Sequence, residues 1–540
     1  SNANALDQMF GDAQTGLSAS LQRFVDSFHD VASSPSSIPA RQVVLSQARS
    51  FSERLHAYDA RLTQIDSGLD AQIASEAAVI TNLARGIAAL NQRIEVEQAR
   101  TGQPPNDLLD QRDTLIDELS THVNISVTKQ DGGAMLIAVG NGQSLVVGSI
   151  AAVLTPLQDA YDPLQRGIGI QGLGVSVDIT SRLAGGKLGG LLDFRREMLT
   201  PARNSLGRLS IAVSDVVNQQ HRAGIDLSGN FGGNLLAVGN VEVLAENINA
   251  GSATLAVTRT NIGALTDYDY MLESNAGVWT LRRADTGATV TMTGAGTVGS
   301  PFVAAGLSLV VGGAAASGDS FLIRPTRAAV AGLNVLVTDP DSLALAAPII
   351  AAVNTTNIGN GQISSGEVLN VANPQLQTPA TIQFLSASTY SINGGAAQAY
   401  TSGANIDANG WRVQISGAPN VGDQFTVGPM TNPAGDNRNA LKLTEALARP
   451  VLNNGTVSLH ANVGRIVGDV GVATSLARTQ RDAQEALHGY NVDAGDAISG
   501  VNLDEEAANL LRFQQAYQAA AQAISIADRL FQSVLDATRR

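Results

Sequence analysis

The C-terminal run of this chain decides the fold: residues 499–540 read SGVNLDEEAANLLRFQQAYQAAAQAISIADRLFQSVLDATRR. Asn502 can cap a helix with its side-chain oxygen, and the acidic residues at 504–506 suit the positive end of the helix dipole. Beyond Asn502, apolar residues recur at alternating spacings of four and three, and neither glycine nor proline interrupts them. The run therefore predicts one long helix whose apolar seam needs a partner.

Two interpretations of this helix stay open from the pattern alone. It is either an ordinary amphipathic helix on the protein's own core or an assembly helix that packs on another chain. For the second interpretation, we take the assembly residues to be the capping residue and the larger seam positions: Asn502, Leu503, Leu510, Phe513, Tyr517, Ile524, Phe531 and Leu535.

The composition excludes several classes of function. The 540 residues are enough for three or four domains, and the absence of cysteine rules out disulfides and thiolate metal sites. A net charge of -14 and a pI near 4.9 disfavour binding to nucleic acid or to an anionic membrane surface. No stretch approaches about 18 consecutive apolar residues and the chain opens without a secretory leader, so we expect no membrane insertion.

The N-terminal hundred residues predict a helical hairpin. Residues 41–100 contain no proline and only two glycines, so they can form one helix about 85 to 90 Å long. Its apolar seam runs to Leu69 and resumes at Ile80, an eleven-residue step that resembles a coiled-coil stutter. We expect Pro104-Pro105 to end this helix and Asn106 to cap a second one.

A small β-meander near residues 123–180 and a further helix follow. The meander is predicted from alternating or apolar runs that are separated by glycine turns. Its strands are Val123–Thr128, Ala134–Val139 and Ser144–Val147, and its turns are Asp131-Gly132 and Asn141-Gly142. The further helix is predicted over Leu188–Arg222.

From about Val241 to Met430 the chain changes to short alternating runs separated by small and polar residues, which is typical of β-sandwich or barrel domains. Within this region, the segment that starts at Gly306 aligns without gaps on the segment that starts at Gly410. The matched pairs are Gly313/Gly417, Gly318/Gly422, Asp319/Asp423, Phe321/Phe425 and Pro325/Pro429. We therefore predict two related β modules, with a linker or short helix between them at Pro340–Asn357.

Helical flanks around a β insertion predict an α+β multidomain fold. Its main part is a long, coiled-coil-like helical rod domain made of the N- and C-terminal segments, into which all-β modules are inserted. The predicted boundaries are residues 4–235 (first part of the rod), 236–335 (first β module), 336–370 (linker or short helix), 371–432 (second β module), 433–498 (second part of the rod) and 499–540 (assembly helix). Residues 1–3 read as the remnant of a cleaved tag, so we expect a natural N-terminal segment to be missing.

No motif predicts an enzyme or a cofactor site. Gly167–Gly172 matches GxGxxG, but a strand-like segment follows it where a dinucleotide site needs a helix. The six histidines (29, 56, 122, 221, 460 and 488) never pair at metal-ligand spacing, and neither HExxH nor GxSxG occurs. We therefore predict no catalytic, cofactor-binding or metal-binding residues.

Several motifs carry a family resemblance. The C-terminal run resembles that of flagellar axial proteins. Within that group, NDLLDQRDTLIDELS (106–120), DGGAMLIAVGNGQSLVVG (131–148), GGLLDFR (189–195) and GDNRNAL (435–441) resemble the hook-associated protein 1 family. One further match implies a structural role where a helix end turns into a loop: Asn218, His221, Gly224, Asp226, Leu227 and Gly229. The resemblance covers roughly residues 4–235 and 436–540 and is weaker in the β modules.

The resemblance implies a structural subunit of the bacterial flagellum, without catalysis, at the junction between hook and filament. The implied location is extracellular, after export through the flagellar type III pathway, and the implied role is in motility. The implied partners are further copies of the chain in a ring, the hook protein, the second junction protein (hook-associated protein 3) and an export chaperone, FlgN, on the C-terminal helix. In the isolated subunit the terminal helix would be poorly packed, so assembly would order it.

An adhesin or glycan-binding appendage protein is the alternative, because exposed β modules can bind host ligands. The two tryptophans, Trp279 and Trp411, both lie in the predicted β modules. Trp411 aligns with Leu307 at a strand start, which favours core packing over glycan binding.

Overall fold

Helices precede and follow the β-rich segments along the chain in the computed structural model, which describes residues 2–11, 16–130, 133–171, 176–499 and 503–538. The chain forms two compact units, Ser1–Ala473 and Thr474–Arg540. It is an α+β multidomain protein, as predicted. The helices are α1 (Asn2–Phe10), α2 (Leu17–Ser33), α3 (Ile38–Thr101), α4 (Asn106–His122), α5 (Gly186–Phe194), α6 (Thr200–Arg222), α7 (Arg438–Ala448), α8 (Leu459–Ser499) and α9 (Leu503–Thr538).

The longest helix, α3, forms because no breaker interrupts it. Its 64 residues span about 96 Å at 1.5 Å per residue, which confirms the predicted single helix. The Ser37 side chain caps the first turn by accepting a hydrogen bond from the amide of Ala40 at 3.4 Å. Pro39 lies in that same turn, where its missing amide hydrogen costs nothing.

The end of α3 differs from the prediction. Gly102 ends the helix in the left-handed conformation (φ 69°), and its amide donates to the carbonyl of Gln98 at 2.9 Å. The glycine therefore stops α3 before the two prolines. Asn106 is the first residue of α4 and not its cap, because Pro105 holds the capping position without a side-chain hydrogen bond.

Helix α3 is shared by two hydrophobic cores. Up to Leu69 it faces the rod core, which also takes side chains from α1, α2, α6, α7 and the start of α8. From Ile73 onward it faces a second core, formed with α4, α5 and the small β sheets. Ile73 and Ala77 fill the predicted eleven-residue step, so the buried positions follow the four, four, three spacing of a stutter. Among the described residues, α3 is the one helix with the length and hydropathy to cross a membrane, and 44% of that window is buried inside the protein.

Two small antiparallel sheets pack on the second half of α3. Their strands are β1 (Ile125–Lys129), β2 (Met135–Val139), β3 (Gln143–Val147), β4 (Ile150–Ala151), β5 (Val153–Gln158), β6 (Arg166–Gln171) and β7 (Ser176–Asp178). The first sheet is a meander in the order β1-β2-β3-β4, and the second has the order β5-β6-β7. The turn at Asn141-Gly142 is present, with φ 90° at the glycine, whereas the predicted turn at Asp131-Gly132 lies outside the described residues.

The helix predicted at Leu188–Arg222 contains one wide turn. Helix α5 continues into a π-helical turn at Arg195–Leu199 and then into α6. Pro201 explains this turn, because it has no amide hydrogen for the carbonyl four residues back and its ring crowds the preceding turn. The amide of Thr200 accordingly donates five residues back, to the carbonyl of Arg195.

The first β module follows α6. Its strands are β8 (Leu236–Ala237), β9 (Glu242–Ala245), β10 (Thr254–Arg259), β11 (Tyr270–Asn275), β12 (Val278–Arg283), β13 (Thr289–Val290), β14 (Phe302–Ala304), β15 (Leu307–Gly312), β16 (Ser320–Arg324) and β17 (Asn334–Val335). They form one sheet in the order β13-β12-β11-β16-β9 and another in the order β10-β15-β14. Strands β8 and β17 pair with each other, which joins the two ends of the module.

The second β module has the same topology. Its strands are β18 (Ile349–Val353), β19 (Gln362–Ile363), β20 (Glu367–Val368), β21 (Ala380–Ser386), β22 (Thr389–Ile392), β23 (Gln398–Ala399), β24 (Asn405–Ala408), β25 (Trp411–Ser416) and β26 (Gln424–Pro429). One sheet has the order β18-β26-β21-β22-β23, and β19, β20 and β24 pair around β25 in the other. The predicted relation between the two modules is therefore confirmed.

The linker predicted at 336–370 is wrong from Ile349 onward. Strands β18, β19 and β20 of the second module lie there, and the helical part of the described segment is a single 3-10 turn at Pro340–Ser342. The run Ile349–Val353 is apolar and rich in alanine, so it has no period that separates strand from helix. Pairing with β26 makes it a strand.

The repeat places an equivalent buried carboxylate in each module. Asp319 and Asp423 each follow a glycine with φ above 90° and each accept three backbone hydrogen bonds. The donors are the amides of Ala250, Gly251 and Ala316 in the first module and of Ile358, Gly359 and Asn420 in the second, at 2.8–3.1 Å. These amides hold the pKa of Asp319 below its usual value. Each carboxylate therefore ties its own loop to a distant segment of its module, residues 250–251 in the first and 358–359 in the second.

After the second module the chain returns to the rod core. Helix α7 packs between α2 and α6, with Ala440, Leu443 and Leu447 buried. A short hairpin that the sequence analysis did not predict, β27 (Pro450–Leu452) and β28 (Val457–Ser458), then leads into α8. Its turn has φ 57° at Asn454 and φ 82° at Gly455, so the Asn-Gly pair was the signal for it.

Candidate assembly helix and inter-domain junction

Helix α9 presents its apolar seam without cover from the described residues. Every side chain described from 505 to 538 is exposed. The seam residues Leu510, Phe513, Tyr517, Ile524, Phe531 and Leu535 are between 49% and 78% exposed. Leu503 begins the helix, but its side chain and the whole of Asn502 lie outside the described residues.

A second apolar face of α9 was missed by the seam prediction. Leu511, Ile526 and Leu530 are also exposed, at 57–62%. At about 100° per residue, Ile526 and Leu530 lie on the side of the helix opposite to the seam. The heptad spacing used for the seam selects one row of apolar residues, so it does not select this second face. A helix that is apolar on opposite sides is suited to burial on more than one side.

The energy available from this helix is large. Full burial of one such side chain contributes about 1.5–3 kcal/mol, so the six seam side chains together would contribute at most about 9–18 kcal/mol. This is of the same size as the cost of association between chains, which is about 4–15 kcal/mol.

A second candidate site is the segment that joins the two β modules, residues 339–347, which we call the junction segment. Arg41, on α3, is fully buried beside it. Its guanidinium donates to the carbonyls of Leu343 at 2.8 Å and Pro340 at 3.2 Å, and also to that of Pro35 at 2.6 Å. Burial lowers the pKa of Arg41, and Asp341 acts in the opposite direction.

His221, at the end of α6, holds the same segment from another side. It is fully buried; its Nδ1 donates to the carbonyl of Gly233 at 2.8 Å, and its Nε2 accepts from the amide of Ala344 at 3.0 Å. These partners require the neutral imidazole with its proton on Nδ1. Burial lowers the pKa of His221 below its usual value.

Asn218 lies one turn before His221 and binds the start of the first β module. Its side-chain oxygen accepts from the amides of Leu235 at 2.8 Å and Leu236 at 2.9 Å. Its amide nitrogen donates to the carbonyl of Leu236 at 2.7 Å. The Asn218 side chain therefore supplies hydrogen-bond partners to backbone groups of Leu235 and Leu236.

The loop after α6 explains the other residues of the predicted motif. Gly224 has no room for a side chain, because a Cβ there would lie 2.0 Å from Nδ2 of Asn439. Asp226 accepts from two amides within its own loop, and Gly229 turns the chain with φ 83°. The amide of Leu227 donates to the carbonyl of Asp341 in the junction segment at 3.2 Å.

The side chains at Asp436–Asn439 also hold the junction segment, although their sequence predicted only a family resemblance and no site. Asn439 donates to the carbonyls of Ala344 at 2.5 Å and Gln220 at 3.1 Å. Asp436 accepts from the amide of Ala347 at 3.0 Å. The available signal was a run of four polar residues that leads into the first turn of an amphipathic helix. Side chains from α3, α6 and α7 thus converge on the junction segment.

The remaining candidates from the sequence form no chemical site. Gly167–Gln171 lies on β6, which pairs with β5 and β7, while Gly172 lies outside the described residues. Within the described ranges, no three histidine, aspartate or glutamate side chains come together as metal ligands. Trp411 is fully buried in the core of the second module, so its ring is not at the surface for a glycan to contact.

Comparisons with known proteins agree with this architecture. Residues 3–236 match the flagellar hook-associated protein FlgK helical domain, and residues 244–325 match the flagellar hook-associated protein 1, D2-like domain. Residues 483–537 match the flagellar basal body rod FlgEFG protein C-terminal family.

Individual relatives match along almost the whole chain. Flagellar hook-associated protein 1 of Salmonella typhimurium is 29% identical over 98% of this chain and 83% of its own length. The Escherichia coli protein of that name is 27% identical over 98% of this chain and 82% of its own length. The solved structure of the flagellar hook junction protein FlgK from Burkholderia pseudomallei has a TM-score of 0.85, 29% identity, and coverage of 93% of this chain and 97% of that one. The chain belongs to the flagellar hook-associated protein 1 (FlgK) family.

Proposed function

We propose that this chain is a structural subunit of the bacterial flagellum that forms the junction between hook and filament, and that it works by assembly, without catalysis. The observation that carries the proposal is α9: a long helix that is apolar on two sides and exposed along its described length. A helix of this kind gains stability when apolar surfaces cover it, and neighbouring chains in an assembly can supply that cover. Because the chain belongs to the hook-associated protein 1 family, we take the covering chains to be its neighbours at the junction between hook and filament.

Assembly would bury α9 on more than one side. The seam suits one neighbouring helix, and the opposite face, with Ile526 and Leu530, suits another. A subunit in the wall of a tube has neighbours on several sides, which fits this distribution. The binding of one neighbour would order the helix for the next.

The proposed partners follow from the same surface and from the family. They are further copies of the chain in a ring, the hook protein on one side and the second junction protein, hook-associated protein 3, on the other. Before assembly, an exposed apolar helix needs a cover against aggregation, and an export chaperone of the FlgN type would supply it. We infer export through the flagellar type III pathway to the outside of the cell.

The test is assembly on isolated hooks. The chain, joined to the N-terminal segment of a relative, is added to hooks that lack junction proteins, and electron microscopy looks for a ring at the distal end. We expect a ring with the unmodified chain and none with Leu510→Asp or Ile524→Asp, because each puts a charge into the seam. Circular dichroism and thermal unfolding should find the β modules intact in both variants.

Gln518→Asp is the matched control. It places the same charge near the middle of α9 on the exposed polar stripe that holds Gln522 and Ser525, away from the seam and from the face with Ile526 and Leu530, at a similar cost in helix propensity. Rings should form with this variant more readily than with Leu510→Asp. Normal rings with both seam variants would overturn the seam assignment, and the absence of any ring with the folded, unmodified chain would count against the junction role.

A further inference from the structure

The edge of the large sheet in the first β module is covered by the chain itself. Strand β9 forms this edge, and the loop at 159–165, between β5 and β6, lies against it. The amide of Asn247 donates to the carbonyl of Ala160 at 2.9 Å. Tyr161 and Ser320 share a hydrogen bond of 2.6 Å, and Asp162 pairs with Arg324 at 2.7 Å. The loop therefore protects this edge from pairing with another chain.

The equivalent edge of the second module lacks this cover. The repeat aligns β18 with β9, because Val353 pairs with Phe425 as Ala245 pairs with Phe321. The positions of Ser320 and Arg324 are Gln424 and Gly428 in the second module, so the partners of the loop are absent. In the described residues, β18 pairs only with β26, and Ile350 and Val353 are exposed.

The backbone of β18 presents free hydrogen-bonding positions at this edge. The carbonyl of Pro348 and the amide of Asn354 bond toward β26, so the alternation of the strand directs Ala351 and Val353 away from it. The guanidinium of Arg438 covers one end of the edge by donating to the carbonyl of Ile349 at 2.6 Å. The backbone at Ala351–Val353 remains available for a partner strand.

The sequence of β18 carries none of the usual protection against strand pairing. The other described edge strands of four or more residues contain a charge or a proline: Lys129 in β1, Pro156 in β5, Glu242 in β9, Arg259 in β10 and Asp407 in β24. Strand β18 reads IIAAV and contains neither. Natural proteins rarely leave such an edge open, so this one is suited to pairing.

We propose that β18 is a contact surface between two copies of this chain, which pair through β18 in an antiparallel arrangement. The copies each carry a net charge of -14 and repel one another, but β18 is uncharged, so approach along this edge avoids like charges. When Ala352 of one copy faces Ala352 of the other, Ala351 of each copy faces Val353 of the other copy. Each of these two pairs exchanges two backbone hydrogen bonds, which gives four across the two-fold axis. Gln424 and Gly428 offer no ion pair to an acidic loop, which favours a neutral strand as the occupant.

This contact is separate from the proposed assembly through α9. Because both copies use the same strand, it closes after two copies and cannot propagate around a ring. It is therefore a contact of free subunits in solution. The surface is small, so we expect a weak dimer that depends on protein concentration.

The test uses the absence of cysteine in this chain. A single Ala352→Cys substitution provides the only thiol, and a facing pair at this position has the Cα separation that a disulfide needs. We expect covalent dimers on mild oxidation. Thr426→Cys is the control, because Thr426 pairs with Ala352 on the same sheet face, one strand inward, and should give none.

Light scattering across a concentration series supplies the second measurement. The mass should rise from 55.8 kDa toward twice that value for the unmodified chain and for Thr426→Lys, but not for Ala352→Lys, which sets two charges opposite each other. The series is repeated with Leu510→Asp so that association through α9 is not counted. A mass of 55.8 kDa at all concentrations, or equal association with and without Ala352→Lys, would overturn the proposal.

Discussion

Asn218 offers the sharpest test of how the rod holds the first β module. Asn218→Ala removes the acceptor of the buried amides of Leu235 and Leu236, whereas the carbonyl of Leu236 keeps the hydroxyl of Ser214 as a donor at 3.2 Å. An unpaired buried group costs about 1–3 kcal/mol, so the two amides together should cost about 2–6 kcal/mol, with some relief if water enters the space left by the side chain. This cost is large because the backbone amides stay buried after their hydrogen-bond acceptor has been removed.

Hydrogen exchange measured by mass spectrometry over residues 230–240 is the assay. A factor of ten in exchange corresponds to about 1.4 kcal/mol, so exchange at Leu235 and Leu236 should become faster by about one to four orders of magnitude. Gln219→Ala is the matched control, because the neighbouring Gln219 is exposed and bonds only to Asp215 on its own helix. Exchange in Asn218→Ala that equals exchange in the control would refute the reasoning.

Two further predictions concern the second module and the junction segment. Trp411→Ala should lower the free energy of unfolding by about 3–5 kcal/mol, because the ring is fully buried. Trp279→Ala should lower it clearly less, because Trp279 is only half-buried. Calorimetry on both variants measures the difference. His221 should make stability depend on pH: burial lowers its folded-state pKa below the value near 6.5 of the unfolded chain, so the unfolded chain takes up protons more readily and stability falls as pH drops below about 6.5. The melting temperature of the wild-type chain should fall between pH 8 and pH 5.5 by more than that of His221→Gln, and equal falls would contradict the assignment.

Local signals were sufficient for much of this protein. Helix α3 could be predicted because helix formation depends on neighbours within a few residues and no proline lies between Ala40 and Thr101. The kinship of the β modules could be predicted because duplicated turns need the same glycines, as at Gly318 and Gly422. The seam of α9 followed from its spacing, although a template with one stripe passed over the face with Ile526.

Other features required the tertiary structure. Strand β18 has an apolar composition that suits a helix or a strand equally, and its pairing with β26, some eighty residues later in the chain, makes the choice. The exposure of the β18 edge also depends on tertiary structure, because the loop at 159–165 covers the equivalent edge in the first module and not this one.

The junction segment is the clearest case. Arg41 and Leu343 are 302 residues apart, and His221 and Ala344 are 123 residues apart. Their hydrogen bonds run between side chains and backbone groups of distant segments, and such bonds leave no period, spacing or composition in the sequence. The sequence by itself determined the elements, the repeat and the apolar helix, because these depend on near neighbours. The tertiary structure alone decided what lies against the junction segment and which sheet edge stays open, because those depend on how distant segments pack.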